Sequence, residues 1–283
     1  MRRVNHIQLD APAKINLSFT IRARRADGFH EIETLMAPIS LSDRLTISEE
    51  GAKGEITLVC DDTTVPTGDD NLVVRAARLF LKTTGTRMGL KIDLQKNIPH
   101  GAGLGGGSSD AASTLLGLQR LCGTRIEKDE LTQLAAQIGS DVPFFLSPSA
   151  AICRGRGELV TPCALGQRLR LLLVKPRFGV PTAWAYARWK DAKELPGVSY
   201  GAQEFGGTTF VNDLERPVFE KHVFLARVKL WLLAQSEVVV AMLSGSGSTM
   251  FAVLRDAADA EALAARAKAE LDPELWTHAS ETL

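Results

Sequence analysis

The stretch Pro99-His100-Gly101-Ala102-Gly103-Leu104-Gly105-Gly106-Gly107-Ser108-Ser109-Asp110-Ala111-Ala112-Ser113 sets a cluster of glycines directly against the start of a helix. Glycine reaches backbone conformations closed to other residues and has no side chain to hold an anion away, while the N–H groups of a first helical turn lack partners and point toward it. Ser108 or Ser109 is placed to cap that helix and to offer a hydroxyl to phosphate or to a bound metal. Ala111, Leu115, Leu118 and Cys122 recur at helical spacing, and Gly123 ends the run. Polyphosphate is therefore the first ligand to expect.

Two familiar phosphate loops fit poorly. A Walker-type loop needs Lys after its last glycine, and Ser108 stands there. Gly101, Gly103 and Gly106 satisfy the spacing of a dinucleotide fingerprint, but that motif sits in a tight strand–turn–helix unit. Here the strand predicted over 90–94 is separated from the glycines by 95–100. A plain surface loop would not run straight into an amphipathic helix.

A chain of 283 residues is long enough for two domains, and 33 basic against 33 acidic residues leave no net charge. Nucleic acid and membrane surfaces are thus poor partners to expect, and nothing points to an obligate protein partner. Cys60, Cys122, Cys153 and Cys163 have neither C-x-x-C nor zinc spacing, which reads as reduced structural thiols. A strand pattern begins within about a dozen residues of the start, with no leader or membrane-spanning run, so a cytoplasmic protein is expected.

Ala13, Ile15, Leu17, Phe19 and Ile21 alternate with Lys14, Asn16, Ser18 and Thr20, the period of a half-buried strand that puts Lys14 and Asn16 on one face. Strands are predicted at 44–48, 55–60 and 90–94, and a helix over 71–82 burying Leu72, Ala76, Leu79 and Phe80. Thr124 to Glu127 forms a capping-box pattern before a helix that ends at Gly139, with Asp141 just beyond. A second domain is expected to begin at 162: strand 169–174, helices 183–190 and 218–234, strands 238–243 and 249–254, and a last helix 257–271. The Gly- and Pro-rich segment 195–209 reads as a long loop.

The glycine segment resembles the P-x-x-x-G-L-G-S-S-A-A motif of the GHMP kinases, small-molecule kinases named for galactose, homoserine, mevalonate and phosphomevalonate. Pro12-Ala13-Lys14-Ile15-Asn16-Leu17 and Ser244-Gly245-Ser246-Gly247-Ser248-Thr249 match that family's other two motifs, in the expected order. Four further segments, 24–31, 70–77, 139–145 and 212–215, are similar to the branch acting on a cytidine-diphosphate-linked methylerythritol in non-mevalonate isoprenoid synthesis. The resemblance implies an α+β, two-domain fold: an N-terminal ATP-binding domain over 1–161 like the second domain of ribosomal protein S5, and a ferredoxin-like domain over 162–283. The last helix is expected to pack back on the first domain. Homoserine or mevalonate kinase, a noncatalytic nucleotide-binding protein and, more remotely, a dinucleotide oxidoreductase are the alternatives.

Phosphoryl transfer to an alcohol needs an aligned nucleophile, a group to take its proton, and donors to offset charge on the phosphoryl oxygens. By the resemblance, Asp141 is the acid/base residue and Lys14 lies beside it, stabilising its charge and the charge that develops in transfer. Asn16 fixes substrate or aspartate. Residues Pro99 to Ser109 bind ATP, with Mg2+ held through the phosphates and Ser108 or Ser109, and Asn71 and Lys96 contact the adenosine end. Phe29 and His30 form a cytidine site; where the family commonly has Tyr, Phe29 keeps the aromatic face and loses the hydroxyl. Tyr186 is a second wall. Gly245, Ser246 and Gly247 close the cleft from the second domain.

Overall fold

The computed structural model describes residues 5–147 and 149–283. Two long strands, β1 (His6–Arg24) and β2 (His30–Glu49), form an antiparallel hairpin paired from His6↔Ser48 to Arg24↔His30. Register shifts between Pro12 and Lys14, Asn16 and Ser18, and Ile21 and Ala23 interrupt the alternation, which is why the sequence showed only 44–48 of β2. The chain continues through β3 (Ile56–Cys60), α1 (Leu72–Thr84), β4 (Leu90–Gln95), α2 (Gly106–Cys122), α3 (Lys128–Ile138), a 3-10 turn (Pro143–Leu146), and the hairpin of β5 (Ala151–Gly155) and β6 (Leu159–Pro162).

The second half comprises β7 (Arg170–Lys175), α4 (Thr182–Arg188), β8 (Gln203–Phe205), β9 (Thr208–Asn212), α5 (Glu215–Lys221), α6 (Val223–Leu233), β10 (Val238–Leu243), β11 (Met250–Leu254), α7 (Ala260–Glu270) and β12 (Trp276–Glu281). An eight-stranded sheet runs β3-β4-β2-β1-β9-β8, with β5 paired to β2 and β6 to β5, and a four-stranded sheet runs β10-β11-β7-β12.

Several expectations are corrected. Segment 195–209 is not wholly loop: β8 and β9 form a hairpin whose second strand returns to the first sheet, parallel to β1 at Ser18↔Val211 and Phe19↔Asn212. The helix expected over 218–234 is two helices, because His222 at φ −115°, ψ 68° leaves helical geometry. The helix at α3 starts only at Lys128, with Glu127 at its N-cap and no side-chain cap, so the capping box at Thr124 does not form. In α1, Leu72 and Leu79 are only partly buried, and Val73, Val74, Ala77 and Leu81 join Ala76 and Phe80 inside. Helix α7 lies on β7 and β12, and it is the C-terminal strand that reaches the first sheet, through the Ile39↔Thr282 bridge.

Apolar residues gather in three layers. One holds α1, α2 and α3 against the first sheet. A second, with Ile15, Leu17, Leu171, Leu173, Met242 and Phe251, lies between the two sheets. The third joins the second sheet to α4, α5, α6 and α7. Residues 13, 15 and 17 of β1 face the middle layer, which sends Lys14 and Asn16 to the opposite face. That face is also covered at these positions: Lys14 is 4% and Asn16 2% exposed, so around them the strand is buried on both faces where half-burial was expected.

Helix α2 approaches the hairpin closely at Gly117, where an added Cβ would lie 2.8 Å from both Leu9 Cδ1 and Ile47 Cδ1. Gly117→Val should overfill this contact and cost about 1–3 kcal/mol, read as a lower denaturation midpoint. An unchanged midpoint would show that the helix can move off the sheet freely.

Candidate active site

The glycine segment turns between β4 and α2. Gly105 is the N-cap of α2 at φ 73°, ψ 13°, with no side-chain cap, so the expected serine cap is replaced by a left-handed glycine. Ser108 and Ser109 lie inside the first turn. Ser108 lines the cleft. Ser109 is fully buried, and its hydroxyl has no protein partner among the described residues, so of the two expected phosphate or metal donors only Ser108 borders the ligand space.

Backbone approach explains two glycines. A Cβ on Gly103 would stand 2.3 Å from the Ser244 carbonyl oxygen, and one on Gly105 2.8 Å from Phe145 Cζ and 3.0 Å from Lys14 Cγ. Both also hold positive φ, 76° and 73°. The first loop is therefore pressed between β1 and the loop that joins β10 to β11. Ser244 Oγ donates to the Gly103 carbonyl at 3.0 Å, and a Cβ on Gly245 would stand 3.1 Å from Asn16 Oδ1. Ser246 and Thr182 hydroxyls meet at 2.8 Å.

Lys14 occupies the centre. Its Nζ donates to Asn16 Oδ1 at 2.7 Å and to the Gly103 carbonyl at 3.0 Å, and lies 3.8 Å from Asp141 Oδ2. Burial lowers the Lys14 pKa from its ordinary value, outweighing the opposing effect of Asp141. Asn16 Nδ2 donates to Thr34 Oγ1 at 2.8 Å, and Thr34 in turn donates to the Ser18 carbonyl at 2.6 Å, so the amide is fixed from behind. Asp141 follows α3 and keeps its side chain 37% exposed, accessible to a ligand. Cys153 lies nearby with its thiol pushed up to about 12, first by burial and then by Asp141; it is a packing residue.

Two cavities meet at Asp141. One, of about 390 Å3, is lined by Lys14, Asn16, Pro99 to Ser108, Asn71 and Lys96, with Gly245 and Ser246. The other, of about 730 Å3, is lined by Phe29, His30, Tyr186, Arg24 and Lys190. Asp141, Arg156, Thr182 and Tyr186 border both. His30 stacks on Tyr186 with ring centres 5.2 Å apart. Burial, reinforced by Arg24 and Lys190, holds the His30 imidazole below its usual pKa. Burial also raises the Tyr186 phenol, which stays protonated. Phe29 is 49% exposed, with the Arg156 guanidinium 4.8 Å from its ring centre.

The two residues expected at the adenosine end line the first cavity, but their polar atoms are already engaged. Asn71 caps α1 by accepting from the Val73 N–H at 2.8 Å and donates to the Pro66 carbonyl at 2.6 Å. The Lys96 ammonium bridges two buried carboxylates, Asp43 and, at 2.9 Å, Asp110. Burial alone would lower Lys96, yet those two charges raise it. Asp110 is pushed up to about 7 by burial and the neighbouring Asp43 charge, which together exceed the pull of Lys96.

Sequence reasoning passed over Arg156, Thr182, Thr34 and Asp110. Arg156 and Thr182 had no pattern to reveal them. Asp110 stood within the quoted glycine stretch, where an acid beside a phosphate site was a visible anomaly.

Comparison with known proteins agrees with this geometry. The N-terminal domain of the GHMP kinases matches residues 71–148. The chain is 42% identical over 292 residues to the 4-diphosphocytidyl-2-C-methyl-D-erythritol kinase of Methylacidiphilum infernorum (isolate V4), covering 100% of this chain and 99% of that relative. A crystal structure of a 4-(cytidine 5'-diphospho)-2C-methyl-D-erythritol kinase superposes with a TM-score of 0.79 at 35% identity, covering 98% of this chain and 100% of the other. The homoserine kinase of Cytophaga hutchinsonii ATCC 33406 shares the fold, with a TM-score of 0.68 at 18% identity over 100% and 96% of the two chains. Among the described residues no helix is long and apolar enough to cross a membrane.

The buried acid supplies a pH test. A carboxyl whose pKa rises from 3.8 unfolded to about 7 folded binds more protons in the native state between those values, so its contribution to stability falls as pH rises through that window. Asp110→Asn, which keeps an acceptor for Lys96, should raise the melting temperature relative to the parent at pH 8, with the gain shrinking toward pH 5. A pH-independent difference would show that Asp110 titrates normally. For the loop, Gly105→Val should weaken binding of an ATP analogue in calorimetry while the protein stays folded, since a branched side chain meets Phe145 and Lys14 and resists positive φ. Unchanged affinity would move the phosphates elsewhere.

Proposed function

The chain belongs to the GHMP kinases, among the 4-diphosphocytidyl-2-C-methyl-D-erythritol kinases, and from that premise we propose that Asp141 and Lys14 act at the reacting atoms as ATP phosphorylates the acceptor's 2-hydroxyl. The observation that carries the assignment is the position of Asp141, which borders both cavities with the Lys14 ammonium 3.8 Å away. ATP belongs in the glycine cavity, where the first turn of α2 supplies backbone donors to the phosphates. The cytidyl acceptor belongs in the aromatic cavity, with Phe29 and Tyr186 against the base and the neutral His30 imidazole at its edge.

In the reaction, Asp141 accepts the proton of the acceptor hydroxyl as its oxygen bonds to the γ-phosphorus. The bond from that phosphorus to the bridging oxygen breaks, and ADP leaves. Lys14 offsets charge on the transferring group from a site where burial weakens solvent screening. Asn16, tied to Lys14 and Thr34, holds that ammonium in line. Gly245 and Ser246 line the glycine cavity from the second sheet, while the backbone of Gly247 packs against Gly103.

Mg2+ fits as a cation carried on the nucleotide, since the Ser108 hydroxyl borders the cleft. When bound it would offset phosphate charge. Pro99, His100, Asn71 and Lys96 wall the adenosine end, the last two through their carbon atoms because their polar atoms are engaged. Cytoplasmic residence is part of this reading, supported by four free cysteines.

The test is ATP consumption with a panel of alcohols. ADP should form with the cytidyl acceptor far faster than with mevalonate or homoserine. Asp141→Asn should lower kcat by about 10²–10⁴ with little change in either KM. Preference for mevalonate or homoserine would overturn the substrate, and near-normal turnover of the Asn variant would overturn the base.

A further inference from the structure

The loop that offers its N–H groups to phosphate holds Gly101, Gly103 and Gly105 at positive φ, and a chain so rich in glycine loses much conformational entropy when it is fixed in one shape. Its middle is held through carbonyls. Leu104 accepts from the Lys14 N–H at 2.9 Å, Gly103 from the Lys14 ammonium and the Ser244 hydroxyl, and Ala102 from the Thr249 N–H at 3.2 Å. Its entrance is held by one side chain of the hairpin. Asp43, fully buried on β2, accepts through Oδ1 from two successive main-chain groups, the Asn97 N–H at 2.6 Å and the Ile98 N–H at 2.8 Å, and through Oδ2 from the Lys96 ammonium.

That grip extends to the start of α2. A Cβ on Gly106, the first residue of the helix, would stand 3.0 Å from Ile98 Cγ2 and 3.3 Å from Lys96 Nζ, so the residues on either side of Asn97 are wedged against the first turn. The Lys96 ammonium then crosses to Asp110, one turn further along α2, at 2.9 Å. Asp43 is itself a fixed reference point: it pairs with Ala11 of β1, and the next residue, Arg44, pairs with Gln95 of β4. The field of a helix N-terminus acts only near its first turn, and its N–H groups are directional, so a small shift of this turn is felt by a bound phosphate.

We infer that Asp43 is a positioning residue for the phosphoryl transfer: through its two main-chain bonds it fixes the mouth of the glycine loop and the N-terminus of α2 where they meet the nucleotide's phosphates. This rests on the placement of ATP in the glycine cavity proposed above. Asp43 stands behind Lys96 and Asn97 and is not among the residues lining that cavity, so its effect on the nucleotide passes through the backbone it holds. The aromatic cavity draws its wall from the β1–β2 turn, the β5–β6 turn, α4 and the segment around Asp141, none of which Asp43 bonds to. Loss of Asp43 should therefore fall on one substrate.

Steady-state kinetics with ATP and the cytidyl acceptor, together with calorimetry of a nonhydrolysable ATP analogue, test this on the full chain. Asp43→Ala should raise the KM for ATP and the Kd of the analogue about tenfold, the value of one charge-assisted hydrogen bond out of place, with the acceptor KM within about twofold of the parent's. Asp43→Asn should bring both ATP values back to within about threefold of the parent, because its amide oxygen still accepts from Asn97 and Ile98. A purely structural role would lower the amount of active enzyme, and with it kcat, and leave both KM values in place. A rise of less than about threefold in the folded Ala variant, an equal rise in both KM values, or an Asn variant as impaired as the Ala variant would overturn the inference. Where Asp43→Ala does not melt cooperatively, Asp43→Glu decides. It keeps the charge and displaces the carboxylate by one methylene, so an ATP KM raised by more than about threefold with the acceptor KM unchanged supports the inference, and any smaller rise overturns it. Failure of the parent to bind the analogue would instead overturn the placement of ATP itself.

Discussion

The Lys14 ammonium is taken out of water with no carboxylate at hydrogen-bond distance, and the surrounding structure answers for that cost. Its donors reach a side-chain amide and a main-chain carbonyl, while the one carboxylate facing it among the described residues stands at 3.8 Å. A buried charge needs partners on every side, so each partner must be held rigidly. This is why Asn16 is fixed by Thr34, and why the Gly103 carbonyl is held by Ser244 from the opposite direction. Moving any one of β1, the glycine loop or the β10–β11 loop would strand the charge.

The β10–β11 loop is positioned from behind by the segment Asn212-Asp213-Leu214-Glu215. Asn212 Nδ2 donates to the carbonyls of Leu243 and Gly245, both at 2.8 Å, gripping the loop as it leaves β10. Asp213 Oδ2 accepts from the Ile21 N–H of β1 at 2.7 Å, and Glu215 Oε1 from the Leu243 N–H at 3.0 Å. Glu215 is itself paired with buried Lys229 at 2.5 Å. Removing one member of such a pair leaves an uncompensated charge, typically worth about 3–5 kcal/mol. One short segment therefore ties the second sheet's loop to the strand that carries Lys14, which makes the cleft a junction of both sheets.

The parts of this arrangement visible in the sequence are those whose chemistry is local. Glycines before a helical repeat declare an anion loop, and alternation along β1 puts Lys14 and Asn16 on one face without any knowledge of what covers it. The role proposed for Asp141 came through family resemblance; a lone aspartate after a helix says little. What stayed hidden depends on partners distant in the chain. Strands β5, β6 and β12 are short and become strands only by pairing, β5 with β2, β6 with β5 and β12 with β7. Segment 195–209 looked like a loop because its glycines suit turns, yet β9 is held by parallel pairing to β1.

The two anionic ligands cannot be held by the same device. The favourable field of a helix N-terminus fades beyond its first turn, so the start of α2 can serve the phosphates of ATP but not a second polyphosphate across the cleft. In the cavity proposed for the acceptor, the cations that line the wall are the side chains of Arg24, Arg156 and Lys190. Lys14 stands between the two sets. With no net charge on the whole chain, attraction for anions comes from this local grouping and not from the overall field. The role proposed for Asp141 fits the same division. A proton acceptor must sit beside the transferring phosphoryl group without repelling it, and a carboxylate meets that demand only where a buried ammonium faces it. The cleft offers that condition at the seam where its two cavities join.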